Sequence, residues 1–236
     1  MIKGVIFDYG GTLDTEARHW SEVLWEGYQA SGVPVTKEQF LTAYVYAERE
    51  LACIPYIQPT DTFYDLLYKK VDLEFDNLHK QGVEFPPQQL ATYTEEIAKY
   101  CDSVARNQVK QNIPILEELS KTYPLVLVTN FYGNINSVTK EYGIDKYFTG
   151  VVESAVVGVR KPSPQIFTLG VEVLNLHPHE VVVIGDSYSK DIQPALEAGC
   201  QAVWLKGESW QGKEEKIEYN RTIYTLKELL HIIKEV

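Results

Sequence analysis

Three short apolar runs, each followed by a cluster of polar residues, constrain the fold of this chain most strongly. The runs cover residues 5–7, 125–128 and 181–184 and are rich in β-branched side chains. Continuous apolar runs of this length are typical of strands that are buried on both faces of a parallel sheet. Because ligands bind at the carboxyl ends of such strands, the polar residues that follow the three runs are expected to converge on one site.

The stretch from residue 15 to residue 107 has a different pattern, without a convincing strand. Its helix-like segments, separated by prolines, cover residues 16–31, 36–52, 60–82 and 87–106. A helical block of about 90 residues is far longer than a normal connection between two strands. We therefore predict an inserted all-helical domain, with hinges near 14–18 and 104–112.

The remaining sequence alternates between strand-like and helix-like segments, as expected of βαβ units. Apolar runs at 150–152 and 201–205 predict a fourth and a fifth strand, and the apolar spacing over 226–236 predicts a closing amphipathic helix. The sequence thus predicts an α/β protein with a parallel sheet. Its core would comprise residues 1–14 and 108–236, and the helical insertion would comprise residues 15–107.

Charge and cysteine content limit the partners and the location. The formal net charge of -11 argues against nucleic acid or an anionic membrane as a main partner, because both attract basic surfaces. The three cysteines have no close pair, which predicts reduced thiols in a cytoplasmic protein rather than a disulfide framework or a zinc site. No apolar run is long enough for a signal peptide or a membrane span. We predict a small-molecule substrate and leave open whether the protein is a monomer or a small homo-oligomer.

The end of the first predicted strand carries a candidate nucleophile. Asp8 precedes Gly10 and Gly11, and a carboxylate in this position can attack phosphorus or carbon to form an aspartyl intermediate that water cleaves. The two glycines permit a tight turn whose backbone N–H groups can face an anion. After the second strand, Thr129 and Asn130 offer a hydroxyl and an amide to a phosphoryl oxygen. Each feature taken alone is explained equally well by a turn or a helix cap.

Two further clusters supply charge. Lys161 could hold the nucleophile and neutralise developing negative charge, although a single lysine is more often a plain surface residue. Asp186 and Asp191 follow the third strand and, with Asp8, would offer oxygen ligands to a hard cation such as Mg²⁺. The ordinary alternative is one aspartate that caps a turn and one that is solvated. Four independent structural explanations do not account well for the ordered set of clusters.

The ordered set resembles the four sequence motifs of the haloacid dehalogenase-like superfamily. The matching segments are Phe-Asp-Tyr-Gly-Gly-Thr-Leu at 7–13, Val-Thr-Asn at 128–130, Arg-Lys-Pro at 160–162 and Gly-Asp-Ser with a following Asp at 185–191. Their spacing agrees over essentially the whole chain. The resemblance implies a Rossmann-like core with a helical cap inserted after the first motif, which coincides with the block at 15–107.

The resemblance also implies a role for each motif residue. Asp8 would be the nucleophile and would act together with Lys161. The phosphoryl group would be bound by Thr129 and Lys161, and the chemistry of their polar groups adds Asn130 and Gly11 to its predicted ligands. Magnesium would be held by Asp8, Asp186 and the backbone carbonyl of Gly10, with Asp191 supporting either the metal site or Lys161.

Gly10 is a departure from the motif of the superfamily's phosphatases. They usually have a second aspartate at this position, and it protonates the leaving group. Dehalogenases and phosphonate-cleaving members also lack it, but dehalogenases do not need the metal that Asp186 and Asp191 indicate. The phosphonate-cleaving members use a cap lysine, for which we find no counterpart near Arg49.

Two carboxylates near the hinge, Asp14 and Glu16, could replace the missing acid, although a solvated carboxylate or a helix cap is the more ordinary interpretation. The cap is rich in aromatic residues, most of them expected in its core and some, with Arg49, at the mouth of the site. We predict a Mg²⁺-dependent phosphatase of small phosphorylated metabolites that forms an aspartyl-phosphate. The alternatives are a dehalogenase-type or phosphonatase-type hydrolase, or a regulatory protein that binds phosphate with little turnover.

Overall fold

The computed structural model describes residues 1–214 and 216–234, which form an α/β core with a six-stranded parallel sheet. The strands are β1 (Gly4–Phe7), β2 (Leu125–Thr129), β3 (Phe148–Glu153), β4 (Val181–Gly185), β5 (Gln201–Leu205) and β6 (Thr222–Ile223). Their order in the sheet is β3-β2-β1-β4-β5-β6. The five strands predicted from apolar runs are confirmed. The additional strand β6 has two residues and is too short to produce such a run.

β1 lies in the middle of the sheet, between β2 and β4. All of its residues are buried, and Ile6 is in register with Val126 on one side and Val183 on the other. Burial on both faces explains why these strands are continuous apolar runs rather than alternating ones. Because the three strands are parallel, the residues that follow them stand at the same edge of the sheet.

Four helices account for most of the segment predicted as a cap. They are α1 (Trp20–Ala30), α2 (Lys37–Cys53), α3 (Phe63–Lys80) and α4 (Pro87–Ser120), and residues 15–107 contain no strand. Thr36 and Thr62 begin α2 and α3 with capping boxes, in which a threonine hydroxyl accepts a backbone N–H bond three residues later. We use the word cap for α1, α2, α3 and the first half of α4.

The hinge predicted at 104–112 lies inside α4 rather than in a loop. This helix runs without a break from Pro87 to Ser120 and therefore extends from the cap into the core. Its buried residues continue at helical spacing through the predicted hinge, as Cys101, Ala105, Val109 and Asn112 show. A helix that remains amphipathic gives no signal at a domain boundary, so the position at which the cap ends along α4 stays a prediction.

The other helices lie in the core. They are α5 (Ile135–Glu141), α6 (Ser154–Val157), α7 (Gln165–Leu174), α8 (Gln193–Glu197) and α9 (Leu229–Ile232), with a π-helical turn at Tyr188–Ile192 and 3₁₀ turns at Asp145–Tyr147, Pro178–Glu180, Trp210–Gly212 and Leu226–Glu228. The closing helix predicted at 226–236 is shorter than expected, and Glu235 and Val236 lie outside the described residues. Among the described helices, none is both long and apolar enough to cross a membrane.

The core of the cap contains a buried carboxylate, Glu74 of α3. One of its oxygens accepts a hydrogen bond of 3.0 Å from the Tyr28 hydroxyl, and the other has no hydrogen-bond partner among the described residues. Burial raises the pKa of Glu74 to about 7, although Lys70 and the bond from Tyr28 act in the opposite direction. The folded protein therefore disfavours the charged form of this side chain.

We expect Glu74→Gln to stabilise the protein above pH 7 and to have little effect near pH 5. The folded protein keeps a proton on Glu74 up to about pH 7, whereas an unfolded chain releases it near 4.5, so the wild-type free energy of unfolding falls as the pH rises between these values. The gain at pH 8 should be at most about 3 kcal/mol. Urea unfolding of Glu74→Gln and of the surface control Glu96→Gln measures it, and an unchanged pH dependence in Glu74→Gln would contradict it.

Candidate active site

The polar clusters predicted from the sequence line one cavity of about 960 Å³ between the sheet and the cap. Its floor is the carboxyl edge of β1, β2 and β4, and its roof is formed by α1, α2 and α3. The sequence-predicted residues that it brings together are Asp8, Gly10, Gly11, Thr129, Asn130, Lys161, Asp186 and Asp191. This convergence follows from the strand order, because the three polar clusters come after adjacent parallel strands.

Lys161 links two of the aspartates on the floor. Its Nζ lies 2.6 Å from an oxygen of Asp8 and 2.6 Å from an oxygen of Asp191, and all three side chains are buried. Burial alone would lower the pKa of Lys161, but the charges of Asp191 and Asp8 outweigh it and raise the pKa above its usual range. The lysine is therefore a fixed positive charge beside Asp8.

Asp191 has both carboxylate oxygens engaged. Its Oδ1 accepts the bond from Lys161, and its Oδ2 accepts a bond of 3.0 Å from the backbone N–H of Ser187. Gly185 allows this close approach, because a Cβ there would lie 2.3 Å from the Cβ of Asp191. These contacts favour a supporting position for Asp191, which holds both Lys161 and the turn that carries Asp186.

The floor has the donor set of a site for a hard divalent cation. Carboxylate oxygens of Asp8, Asp186 and Asp191 all lie within 4.8 Å of one another. When all three carboxylates are ionised, they and the ammonium group of Lys161 leave an excess of two negative charges on the floor. Burial, together with Asp191 and Asp8, raises the pKa of Asp186 well above its usual value, so the site lacks positive charge. A cation such as Mg²⁺ would supply it, and oxygen ligands are those that Mg²⁺ prefers.

The turn after Asp8 differs from the prediction in the use of its backbone groups. The sequence predicts that the N–H of Gly11 faces a phosphate. In the structure this N–H instead donates a hydrogen bond of 2.7 Å to the Asp14 carboxylate. Gly11 has a left-handed φ of 94°, and a Cβ there would lie 2.5 Å from the Asp186 carboxylate, so this position requires glycine. Because a trans peptide directs its carbonyl away from its N–H, the carbonyl of Gly10 points away from Asp14.

The side chain of Asn130 holds the segment that carries Lys161. Its side-chain amide donates to the carbonyl of Lys161 at 3.1 Å, and its side-chain oxygen accepts from the N–H of Lys161 at 2.9 Å. The amide has a second N–H and Asn130 lines the cavity, so its contact with a phosphoryl oxygen stays a prediction. Thr129, by contrast, is buried at the end of β2 and lines the cavity.

The two carboxylates considered as replacements for the missing acid lie in different places. Asp14 is buried and lines the cavity, and Trp20 donates a bond of 3.1 Å to its second oxygen. Burial raises the pKa of Asp14 to about 7, with Asp8 acting in the same direction and the bonds from Gly11 and Trp20 opposing it. Glu16 instead accepts hydrogen bonds from Gln108 and from the backbone of Leu226, away from the cavity.

The roof of the cavity contains an ion pair that no sequence pattern predicts. Lys70 of α3 is buried against Glu48 of α2, and the hydroxyl of Tyr132 donates to both oxygens of Glu48 at 3.3 Å. Burial would lower the pKa of Lys70, but Glu48 outweighs it and raises the pKa well above its usual value. A cap lysine is therefore present in the cavity, at a position that the sequence analysis did not consider, and it is held as an ammonium group.

A loop after β5 closes one side of the cavity and was also missed. The indole of Trp210 in this loop stacks on Tyr44 of α2 with ring centroids 5.6 Å apart, and it lies 5.2 Å from the ring of His19. Of the aromatic residues of the cap, Trp20, Tyr44 and Phe63 line the cavity, and Arg49 lines it as well. Loop residues so distant in sequence carry no motif that could have placed them here.

Comparison with known proteins identifies relatives of this chain. A model of the haloacid dehalogenase-like hydrolases matches residues 2–199. The 5-amino-6-(5-phospho-D-ribitylamino)uracil phosphatase YigB of Escherichia coli is 31% identical over 100 residues, which are 42% of this chain and 40% of that protein. A glyceraldehyde 3-phosphate phosphatase of Methanocaldococcus jannaschii is 33% identical over 94 residues, 40% of this chain and 41% of that protein. The matched segments thus span about two fifths of these relatives.

Among solved structures, the magnesium-bound HAD-hydrolase YfnB of Bacillus subtilis is similar over 99% of both chains. The TM-score is 0.65 and the sequence identity is 20%. At this identity the likeness shows a common fold.

Proposed function

Because this chain belongs to the haloacid dehalogenase-like hydrolases, we propose that it is a magnesium-dependent phosphatase of small phosphorylated molecules, with Asp8 as the nucleophile. The observation that carries the proposal is the position of Asp8. One of its oxygens is held 2.6 Å from the ammonium group of Lys161, on the floor of a cavity that also contains Asp186. Lys161 holds the carboxylate through one oxygen and leaves the second oxygen to attack the substrate.

In the first step, an oxygen of Asp8 attacks the phosphorus, and the bond from phosphorus to the leaving oxygen breaks. In the second, water attacks the aspartyl-phosphate, which releases phosphate and restores Asp8. Lys161 balances negative charge on the phosphoryl oxygens, and the hydroxyl of Thr129 donates a hydrogen bond to one of them. Magnesium, held by Asp8, Asp186 and the carbonyl of Gly10, would supply further positive charge to the same group.

The alternatives at carbon and at a phosphonate fit the site less well. A cluster of three carboxylates, two of them buried, favours a metal-dependent reaction over a metal-independent dehalogenation. A Schiff base requires a neutral amine, whereas Lys70 is paired with Glu48 and stays protonated. A panel of phosphorylated metabolites, 2-chloropropionate and phosphonoacetaldehyde, each assayed with Mg²⁺ and with a chelator, tests the proposal. Turnover of a phosphate that the chelator abolishes supports it, and turnover only of the other two compounds overturns it.

We expect Asp186→Ala to raise the Mg²⁺ concentration that gives half-maximal activity by at least about tenfold, because the change removes an anionic ligand. The protein should remain folded, since the change also relieves repulsion among three carboxylates. Titration of Mg²⁺ against phosphatase activity measures the effect. Asp72→Ala, an exposed position on α3, serves as the matched control. An unchanged half-saturation point in Asp186→Ala would remove this residue from the proposed metal site.

A further inference from the structure

Three basic side chains from separate parts of the fold stand at the mouth of the cavity. Arg49 lies on α2 of the cap, Arg160 precedes Lys161, and Lys190 precedes Asp191. All three are exposed, and among the described residues their side chains form no hydrogen bond or ion pair. We call Arg49, Arg160 and Lys190 the cationic rim.

The surroundings of the rim leave its charge uncompensated. Glu48 is paired with Lys70, and the carboxylate of Glu214 accepts hydrogen bonds from the backbone N–H groups of Tyr188 and Ser189. Apart from Asp8, Lys161, Asp186 and Asp191 on the floor, five basic side chains and four acidic ones, Asp14 among them, line the cavity. An excess of positive charge at one opening is notable in a protein with a net charge of -11, and it attracts anions there.

The rim faces the space that a leaving group would occupy. Lys190 acts electrostatically across this space, because burial and then the charge of Lys190 lower the pKa of His19 to about 4. It also helps Lys70 to lower the pKa of Glu48, against the effect of burial. His19 and Glu48 belong to the cap side, whereas Lys190 belongs to the core. When the phosphoryl group of a substrate lies at Asp8 on the floor, the rest of the substrate would therefore lie between the cap residues His19 and Glu48 and the core residue Lys190.

Gly10 offers no proton donor to the leaving group, and the cationic rim offers it positive charge. These two features set two requirements for the leaving group. It should depart as a weakly basic anion, and it should carry negative charge for the rim to bind. We propose that the substrate is a phosphoanhydride and that Arg49, Arg160 and Lys190 bind its leaving phosphate; this rests on the proposed phosphatase function. An oxygen of Asp8 forms a bond to the terminal phosphorus, and the bridging P–O bond breaks. The electron pair stays on the bridging oxygen of the departing phosphate.

Four substrates separate the two requirements. Inorganic pyrophosphate has a good leaving group with a second anion, and acetyl phosphate has a good leaving group with none. Phosphoglycolate has a poor leaving group with a second anion, and glycerol 2-phosphate has a poor leaving group with none. With Mg²⁺ saturating, we expect wild-type kcat/KM to be highest for pyrophosphate. A preference for phosphoglycolate would instead identify a carboxylate as the second anion and would overturn the proposal.

Removal of rim charge should affect pyrophosphate more than acetyl phosphate. We expect Arg49→Gln, Arg160→Gln and Lys190→Gln each to lower kcat/KM for pyrophosphate by about fivefold, mainly through KM, with a smaller loss for acetyl phosphate. Lys140→Gln, an exposed lysine of α5 that does not line the cavity, is the matched control. Added salt should weaken the pyrophosphate preference of the wild type and have less effect on the triple rim variant.

Equal losses for pyrophosphate and acetyl phosphate in the rim variants would overturn the role of the rim. Hydrolysis of acetyl phosphate without a preference for pyrophosphate would overturn the phosphoanhydride proposal and leave the phosphatase function standing. If the wild type hydrolyses none of the four with Mg²⁺ but turns over another phosphate of the metabolite panel, the phosphoanhydride proposal fails and the phosphatase function stands. If it turns over no phosphate of the panel, both fail.

Discussion

Asp8→Asn is expected to lower kcat by at least about a thousandfold while leaving the fold intact. An amide oxygen does not form the covalent intermediate, and attack by the carboxylate begins the proposed reaction. The loss should appear in kcat for every phosphorylated substrate, irrespective of its leaving group. Steady-state kinetics with saturating Mg²⁺ and a phosphate-release assay measure it.

The structure indicates why the Asp8→Asn protein should remain folded. Asp8 shares the ammonium group of Lys161 with Asp191, so this lysine keeps a charged partner in the variant. The change also removes one of three negative charges that lie close together. Asp145→Asn on the surface serves as a control for loss of a carboxylate, and thermal unfolding compares their stabilities. Residual activity within tenfold of the wild type would mean that Asp8 is not the nucleophile.

Gly10→Asp is expected to raise kcat/KM for an alkyl phosphate by about a hundredfold relative to an acyl phosphate. Alkoxide leaving groups need a proton as the P–O bond breaks, and general acid catalysis of this kind is typically worth about 10² to 10⁴ in rate. Acyl phosphates release a weakly basic carboxylate, which needs the proton far less. The experiment compares glycerol 2-phosphate with acetyl phosphate in wild type and variant, with Mg²⁺ saturating.

The backbone at Gly10 can accept the new side chain. A Cβ at this position meets no atom within 4 Å, and Gly10 is not among the residues with a left-handed φ. Gly10→Asn is the matched control, because it has nearly the same size without an acidic proton. Gly11→Asp should fail to give a working enzyme, since its Cβ would meet the Asp186 carboxylate at 2.5 Å. An equal response to Gly10→Asp and Gly10→Asn would contradict proton donation.

Asp14 provides a second check on the same reasoning. It lines the cavity and has a raised pKa of about 7, so it is the carboxylate of the hinge that could already deliver a proton. If it does, the wild type should hydrolyse alkyl and acyl phosphates with similar kcat/KM, and Asp14→Asn should reduce only the alkyl reaction. That result would contradict the expected effect of Gly10→Asp. A loss shared by both substrates would instead reflect the hydrogen bond that the N–H of Gly11 donates to Asp14, which shapes the turn after Asp8.

The residue pattern alone predicts the fold class and the edge of the sheet at which the polar clusters meet. Strands buried on both faces must be apolar throughout, so β1, β2 and β4 are visible as continuous runs. Parallel strands place their carboxyl ends at one edge, so the sequence alone predicts that Asp8, Thr129 and Asp186 lie together. A helical block of residues 15–107 was evident because a connection between neighbouring strands does not need such length.

The use of individual polar groups depends on tertiary packing. The N–H of Gly11 is predicted to face phosphate but donates to Asp14, and the side chain of Asn130 also binds Lys161, because each takes the partner that the packed loops place within hydrogen-bond distance. The ion pair of Lys70 and Glu48 and the stacking of Trp210 on Tyr44 join elements that have no fixed sequence relation. Periodicity and motif spacing report on contacts along one element or one strand edge. Contacts between helices and distant loops depend on how these elements pack, which no local pattern records.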